Sequence, residues 1–174
     1  MTNLINLPPF TEDGDVYVVV ETPRGSRAKF AYDPKLKTFT LSKSLLTGLT
    51  YPHDWGFVPS TTGPDGDPID VAVFWDVATF PGVVIPCRAL GLVKVEQSAT
   101  EGSSGRRRND RILAIPVEGR RQQDLRSVRD LSDRIRQELE LFFVTAAALE
   151  GKDPKILGWD GPEAALSLLR SSQT

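Results

Sequence analysis

The stretch DGDPID sets Asp65, Asp67 and Asp70 within six residues, directly before the apolar run VAVFW. Gly66 and Pro68 keep it out of a helix. A turning or extended backbone can bring alternate carboxylates to one side. Carboxylates gathered at one point repel each other unless a cation lies among them. A hard cation such as Mg²⁺ takes oxygen ligands and keeps waters and substrate phosphates in its coordination sphere. The residue types therefore point to divalent metal and phosphate chemistry. Two other readings stand beside it. One is an Asp-Gly turn with solvated charges. The other is a Ca²⁺ loop, although the EF-hand spacing and its later Glu are absent.

These carboxylates must be positioned by the elements around them. Residues 16–21 (VYVVVE), 27–33 (RAKFAYD) and 38–42 (TFTLS) read as strands separated by turn signals, most simply as two successive hairpins. Residues 51–70 hold four prolines and three glycines, which predicts an ordered loop without regular structure. Residues 71–75 leave it as an apolar strand. Residues 83–96 predict a long strand bent at Gly91, with 111–117 (RILAIPV) as its partner. Between them lies a long polar loop, 97–110, without periodicity. Leu131, Ile135, Leu139, Phe142, Ala146 and Leu149 recur at helical spacing, so a helix is predicted over 132–149, capped by Ser132 and ended by Gly151. A last helix, 162–171, opens with Pro162. Strands first and helices last predict an α+β layout, a β-barrel with helices packed on it. The chain reads as one domain, 1–174, with an N-terminal arm over 1–15.

The length of 174 residues suits one core, and 40% apolar with 25% charged residues is ordinary for a globular chain. A net charge of −2 argues against a non-specific nucleic-acid binder. The arginines at 106–108, 111, 120, 121, 126 and 129 form a local basic stretch without aromatic residues, which weakens a stacking-based nucleic-acid interface. A single cysteine, Cys87, excludes an internal disulfide and reads as a small core residue. No apolar run approaches the ~20 residues of a membrane span, and the first residues lack a signal-peptide pattern. The chain reads as cytoplasmic, with no membrane or nucleic-acid partner.

DGDPIDV resembles the signature of the family I soluble inorganic pyrophosphatases. VYVVVETP, AKFAYD, TYPHDWGFVPST, PGVVIPCRALGLVKV, RILAIPV and GWDGPEAA resemble family segments in the same order, so the resemblance spans residues 15–170. It implies a five-stranded, OB-like β-barrel with C-terminal helices, often in homo-oligomers. It also implies hydrolysis of a small phosphoanhydride, pyrophosphate, with Mg²⁺ (Mn²⁺ as an alternative), two or more ions. Carried over residue by residue, Asp65 and Asp70 hold metal and Glu21 holds a substrate-associated metal through water. Asp67 helps to deprotonate the attacking water, and Lys29, Lys43 and Tyr51 bind substrate. Lys43 stands where the family usually has arginine. No chemistry is carried onto His53, and Asp54 beside it reads as a turn or capping residue.

Other positions depart from the family pattern. Ala31 replaces a glutamate, and Trp55 replaces a phosphate-contacting tyrosine. Gln97, Asn109 and Arg111 fall on two metal-binding aspartates and a lysine. Ala146 and Ala147 replace a Tyr-Lys pair. Glu96, Glu101 or Asp110 could substitute for the lost carboxylates, Asp110 only through a bulge, since one residue along a strand reverses its face. Arg106, Arg107 and Arg108 could serve as phosphate clamps or form a solvated hairpin tip. Two functions follow: a divergent metal-dependent pyrophosphatase, weak or altered in substrate, or a catalytically impaired pyrophosphatase fold that binds a phosphate ligand or protein partner.

Overall fold

A computed structural model of the chain describes residues 3–99 and 104–174. Nine strands are assigned among them: β1 (Val16–Thr22), β2 (Ala28–Asp33), β3 (Thr38–Ser44), β4 (Asp54–Phe57), β5 (Asp70–Val73), β6 (Val84–Ser98), β7 (Arg106–Arg108), β8 (Arg111–Pro116) and β9 (Lys155–Asp160). Helix α1 covers Asp133–Ala147 and α2 covers Pro162–Ser171. The pairings β1–β4, β4–β5, β5–β8, β8–β6 and β6–β1 close a ring of five strands. Only β5–β8 is parallel. The expected barrel with C-terminal helices is present, and it is α+β in class.

Alternation explains how the barrel is filled on both sides. Along β8, Ile112 and Ala114 join one apolar cluster, with Val18, Val71 and Leu169 of α2. Leu113 and Ile115 join the other, with Leu139, Phe142 and Phe143 of α1. A strand buried on both faces reads as an unbroken apolar run, as RILAIP does.

Several expectations need correction. The first predicted hairpin does not form, because β1 pairs with β4 and β6 rather than β2. The predicted pair β2–β3 does form, as a separate two-stranded sheet. The region 51–70 contains a strand after all. Gly56 makes it possible, since a Cβ there would lie 2.0 Å from the Val19 carbonyl oxygen. β9 was not anticipated. It pairs antiparallel with β6 from Leu92 to Glu96, next to the bend, where Gly91 has φ +150° and a Cβ would meet the Asp160 carbonyl at 2.2 Å. Leu149 is exposed, so the apolar face of α1 stops short of it. Ser132 does cap α1, accepting from the Ile135 N–H, and Gly151 follows its last turn with φ +65°.

Candidate functional site

Parallel pairing of β5 and β8 in the register Val71↔Ile112 brings their preceding residues, Asp70 and Arg111, side by side. Arg111 Nε lies 3.5 Å from Asp70 Oδ2. The turn before β5 is closed by two backbone bonds, Gly63 N–H to the Asp67 carbonyl at 2.7 Å and Gly66 N–H to the Gly63 carbonyl at 3.0 Å. The Asp67 N–H also donates to Asp65 Oδ1 at 3.2 Å. The Asp-Gly turn is therefore real, and it presents Asp65, Asp67 and Asp70 to one cleft of about 560 Å³. That volume lies within the ~300–1,000 Å³ usual for small-ligand sites. Burial first, then Asp65 and Asp70, raise the pKa of Asp67 above the ordinary carboxylate range.

Glu21 enters from β1 and shares an adjoining cavity with Asp67 and Asp70. The Tyr32 N–H donates to its Oε1 at 2.8 Å and fixes its direction. Burial pushes Glu21 up to about 7, with Asp70 and Asp67 adding to the rise and the Tyr32 bond opposing it. Lys29 of β2, Lys43 of β3 and buried Tyr51 line a third cavity, which also reaches Asp70 and Arg111. Burial pushes the Tyr51 phenol pKa upward, so its hydroxyl stays protonated. Its ring packs 4.9 Å from Phe142 and 6.0 Å from Trp55. Lys29 and Asp70 border all three cavities, so every carried-over residue lies on one connected site.

Glu150 and Lys152 were missed by sequence reasoning. Both line the cleft, on the segment that follows α1. Glu150 forms ion pairs with Lys43 and, at 3.1 Å, with Lys152. Their position just past a predicted helix end was the only available signal.

The residues placed at 97, 109 and 111 also face this cleft. The predicted polar loop is partly ordered as strand: Gln97 and Ser98 extend β6, and β7 pairs with them. The proposed substitutes for a carboxylate are engaged elsewhere. Glu96 pairs with Arg106, while Asp110 accepts from the Val95 N–H at 3.0 Å and pairs with Arg108. Glu101 lies outside the described residues. Asp54, expected as a turn or capping residue, instead opens β4 as a buried carboxylate that accepts from Arg24 N–H at 2.8 Å and Thr79 Oγ1 at 2.7 Å. His53, onto which no chemistry was carried, is half-buried. Its ring packs on Phe74 and its Nδ1 is buried.

The family profile for inorganic pyrophosphatase matches residues 18–174. The chain belongs to the inorganic pyrophosphatase family. Among its relatives, the inorganic pyrophosphatase of Thermus thermophilus is 35% identical over 98% of this chain and 96% of that one. The Synechocystis enzyme is 34% identical over 96% and 95%. The crystal structure of the Thermus thermophilus inorganic pyrophosphatase superposes with a TM-score of 0.89 over 98% of this chain and 97% of that chain, at 34% identity. That of Coxiella burnetii gives 0.85 over 95% and 97%, also at 34% identity.

Pyrophosphatases of this family generally need a divalent metal. Among the described residues no group of three His, Cys, Asp or Glu side chains is gathered as a ready cage. The donor set still fits a hard cation held by one or two carboxylates, with water and substrate completing the sphere. Burial, and after it the charges of the neighbouring carboxylates, raise Asp67 and Glu21, and a bound cation would offset both effects.

Proposed function

We propose that this chain hydrolyses inorganic pyrophosphate to two phosphates with the help of Mg²⁺ or Mn²⁺, two or more ions. The observation that carries the reading is the convergence of Asp65, Asp67, Asp70 and Lys29 on one cleft in a chain of this family. Asp65 and Asp70 would hold metal directly, and Glu21 would hold it on the adjoining side. A bound cation neutralises the polyanion and makes water acidic enough to deprotonate near neutral pH.

Asp67 is the base that takes the proton from the attacking water. Its raised pKa suits that task, because a carboxylate made more basic by burial and like charge accepts a proton more readily. Lys29 and Lys43 meet the phosphoryl oxygens as fixed charges, which stabilises negative charge as the anhydride bond opens. Tyr51 donates its hydroxyl hydrogen, held in place by Phe142 and Trp55.

Residues 1–174 act as one unit in this reading. The exposed Leu141 and Val144 of α1 offer apolar surface for a homo-oligomer. No helix among the described residues is long and apolar enough to cross a membrane, and the buried free thiol of Cys87 is compatible with the cytoplasm.

Phosphate release from pyrophosphate, followed across Mg²⁺ and Mn²⁺ concentrations, tests the reading. Metal-dependent release that Asp67→Asn abolishes supports it. Equal background release from both proteins refutes it in favour of a non-hydrolytic binder.

A further inference from the structure

We propose that Arg107, together with Gln97 and Asn109, forms an anion-binding wall that grips one phosphoryl group of the substrate directly, without a metal between. The inference deepens the pyrophosphate reading and rests on it for the identity of the anion.

The strand register creates this wall. β6 and β7 pair antiparallel with Gln97 directly opposite Arg107. Cross-strand partners project to the same face, and alternate residues share it. Residues 107, 109 and 111 therefore form one stripe, and all three line the cleft with Gln97. Arg106 and Arg108 project the other way. Arg106 is held by Glu96 at 2.9 Å and Asp153 at 3.3 Å, and Arg108 by Asp110 at 2.7 Å. The basic run thus neutralises itself on one side and leaves one arginine for the cleft.

The chemistry of the wall suits an anion and not a cation. Its side chains are two amides and two guanidinium groups, with no carboxylate among them. The half-buried Arg107 forms no ion pair among the described residues. Its guanidinium is braced by one donation to the Ala99 carbonyl at 3.1 Å. Arg111 Nε beside it is buried and makes no hydrogen bond among the described residues, the Asp70 carboxylate standing off at an ion-pair distance of 3.5 Å. A ligand oxygen would complete the hydrogen bond that this buried donor lacks. Planar guanidinium groups match two phosphate oxygens at once, which a lysine cannot do. The neighbouring turn supplies the carboxylates for metal, so the cleft divides into a cation side and an anion side.

The test is calorimetric binding of imidodiphosphate, a non-hydrolysable pyrophosphate analogue, to protein stripped with EDTA. Wild type should bind without divalent metal. Arg107→Ala should weaken this by about tenfold or more, the loss expected for a charge-assisted hydrogen bond. Arg107→Lys should recover only part, and Gln97→Glu, which sets a negative charge opposite Arg107, should weaken binding comparably. Thermal unfolding of each variant establishes that it is folded. Metal-free affinity that is undetectable in wild type, or unchanged in folded Arg107→Ala, would overturn the proposal. Arg107-dependent binding in a protein that releases no phosphate with Mg²⁺ would uphold this wall while refuting hydrolysis. Normal turnover with unchanged analogue binding in Arg107→Ala would do the reverse.

Discussion

Replacing Asp54 by alanine should be among the most destabilising single changes in this chain. The carboxylate has no exposed surface. Its Oδ1 accepts from Arg24 N–H at 2.8 Å. Its Oδ2 accepts from Thr79 Oγ1 at 2.7 Å, Thr79 N–H at 3.2 Å and, more weakly, Trp75 Nε1 at 3.4 Å. Asp54→Ala strands three donors that are within good hydrogen-bonding range. Each stranded buried donor costs about 1–3 kcal/mol. Water can reach part of this partly buried region, so a total near 3–4 kcal/mol is expected by the same rule. With a urea m-value of about 2 kcal/mol/M, the unfolding midpoint should fall by roughly 1.5–2 M. Asp54→Asn keeps the shape and one oxygen, and should lose about half as much. Urea unfolding followed by tryptophan fluorescence measures both. A midpoint shift under about 0.3 M for the alanine variant, with m unchanged, would refute the assignment of Asp54 as the residue that ties the 24 and 79 segments to β4.

His53 gives one part of the pH dependence of stability. Burial, followed by the charge of Arg24, lowers its pKa from 6.5 to about 4. The unfolded chain therefore binds a proton below pH 6.5 that the folded chain refuses, so the contribution of His53 to stability is full above 6.5 and falls as pH drops toward 4. Glu21 opposes this over much of that range, because its pKa, raised to about 7, favours the folded chain at low pH. The loss attributable to His53 should reach at most about 3 kcal/mol at pH 4, and His53→Gln should remove that part of the slope in urea titrations. Gly56→Ala should cost more than about 3 kcal/mol or prevent folding, because its Cβ would overlap the Val19 carbonyl. A Gly56→Ala protein that melts within a few degrees of wild type would contradict the close approach. Lys43→Ala should raise KM for pyrophosphate about tenfold with a smaller change in kcat, whereas an unchanged KM would place Lys43 in a purely structural pair with Glu150.

The barrel and its helices were legible because burial leaves a pattern in the chain. β6, β8, α1 and α2 show it as unbroken apolar runs or helical spacing. β4 was hidden by surrounding prolines and glycines, since a four-residue strand has too little length to set a period against them. β9 was hidden because its bond partner, β6, lies about sixty residues earlier in the chain, and nothing local announces such a pairing. The trio Asp65, Asp67 and Asp70 stands out in DGDPID, although a solvated turn or a Ca²⁺ loop fitted it as well, whereas Glu21, Lys29, Lys43 and Tyr51 came only through the family resemblance. Arg107 could be told apart from Arg106 and Arg108 only once the register with β6 had assigned a face to each. Glu150 and Lys152 likewise depended on where α1 ends.

The central claim is that Asp65, Asp67 and Asp70 converge on cations that carry a polyanionic substrate. Crystals grown with Mg²⁺ and imidodiphosphate examine it most directly. The account predicts metal density bridging Asp65 or Asp70 to the ligand, with Asp67 facing a metal-bound water and Lys29 and Tyr51 on phosphate oxygens. A fully occupied ligand with those three carboxylates turned to bulk solvent and no ion between them would contradict it.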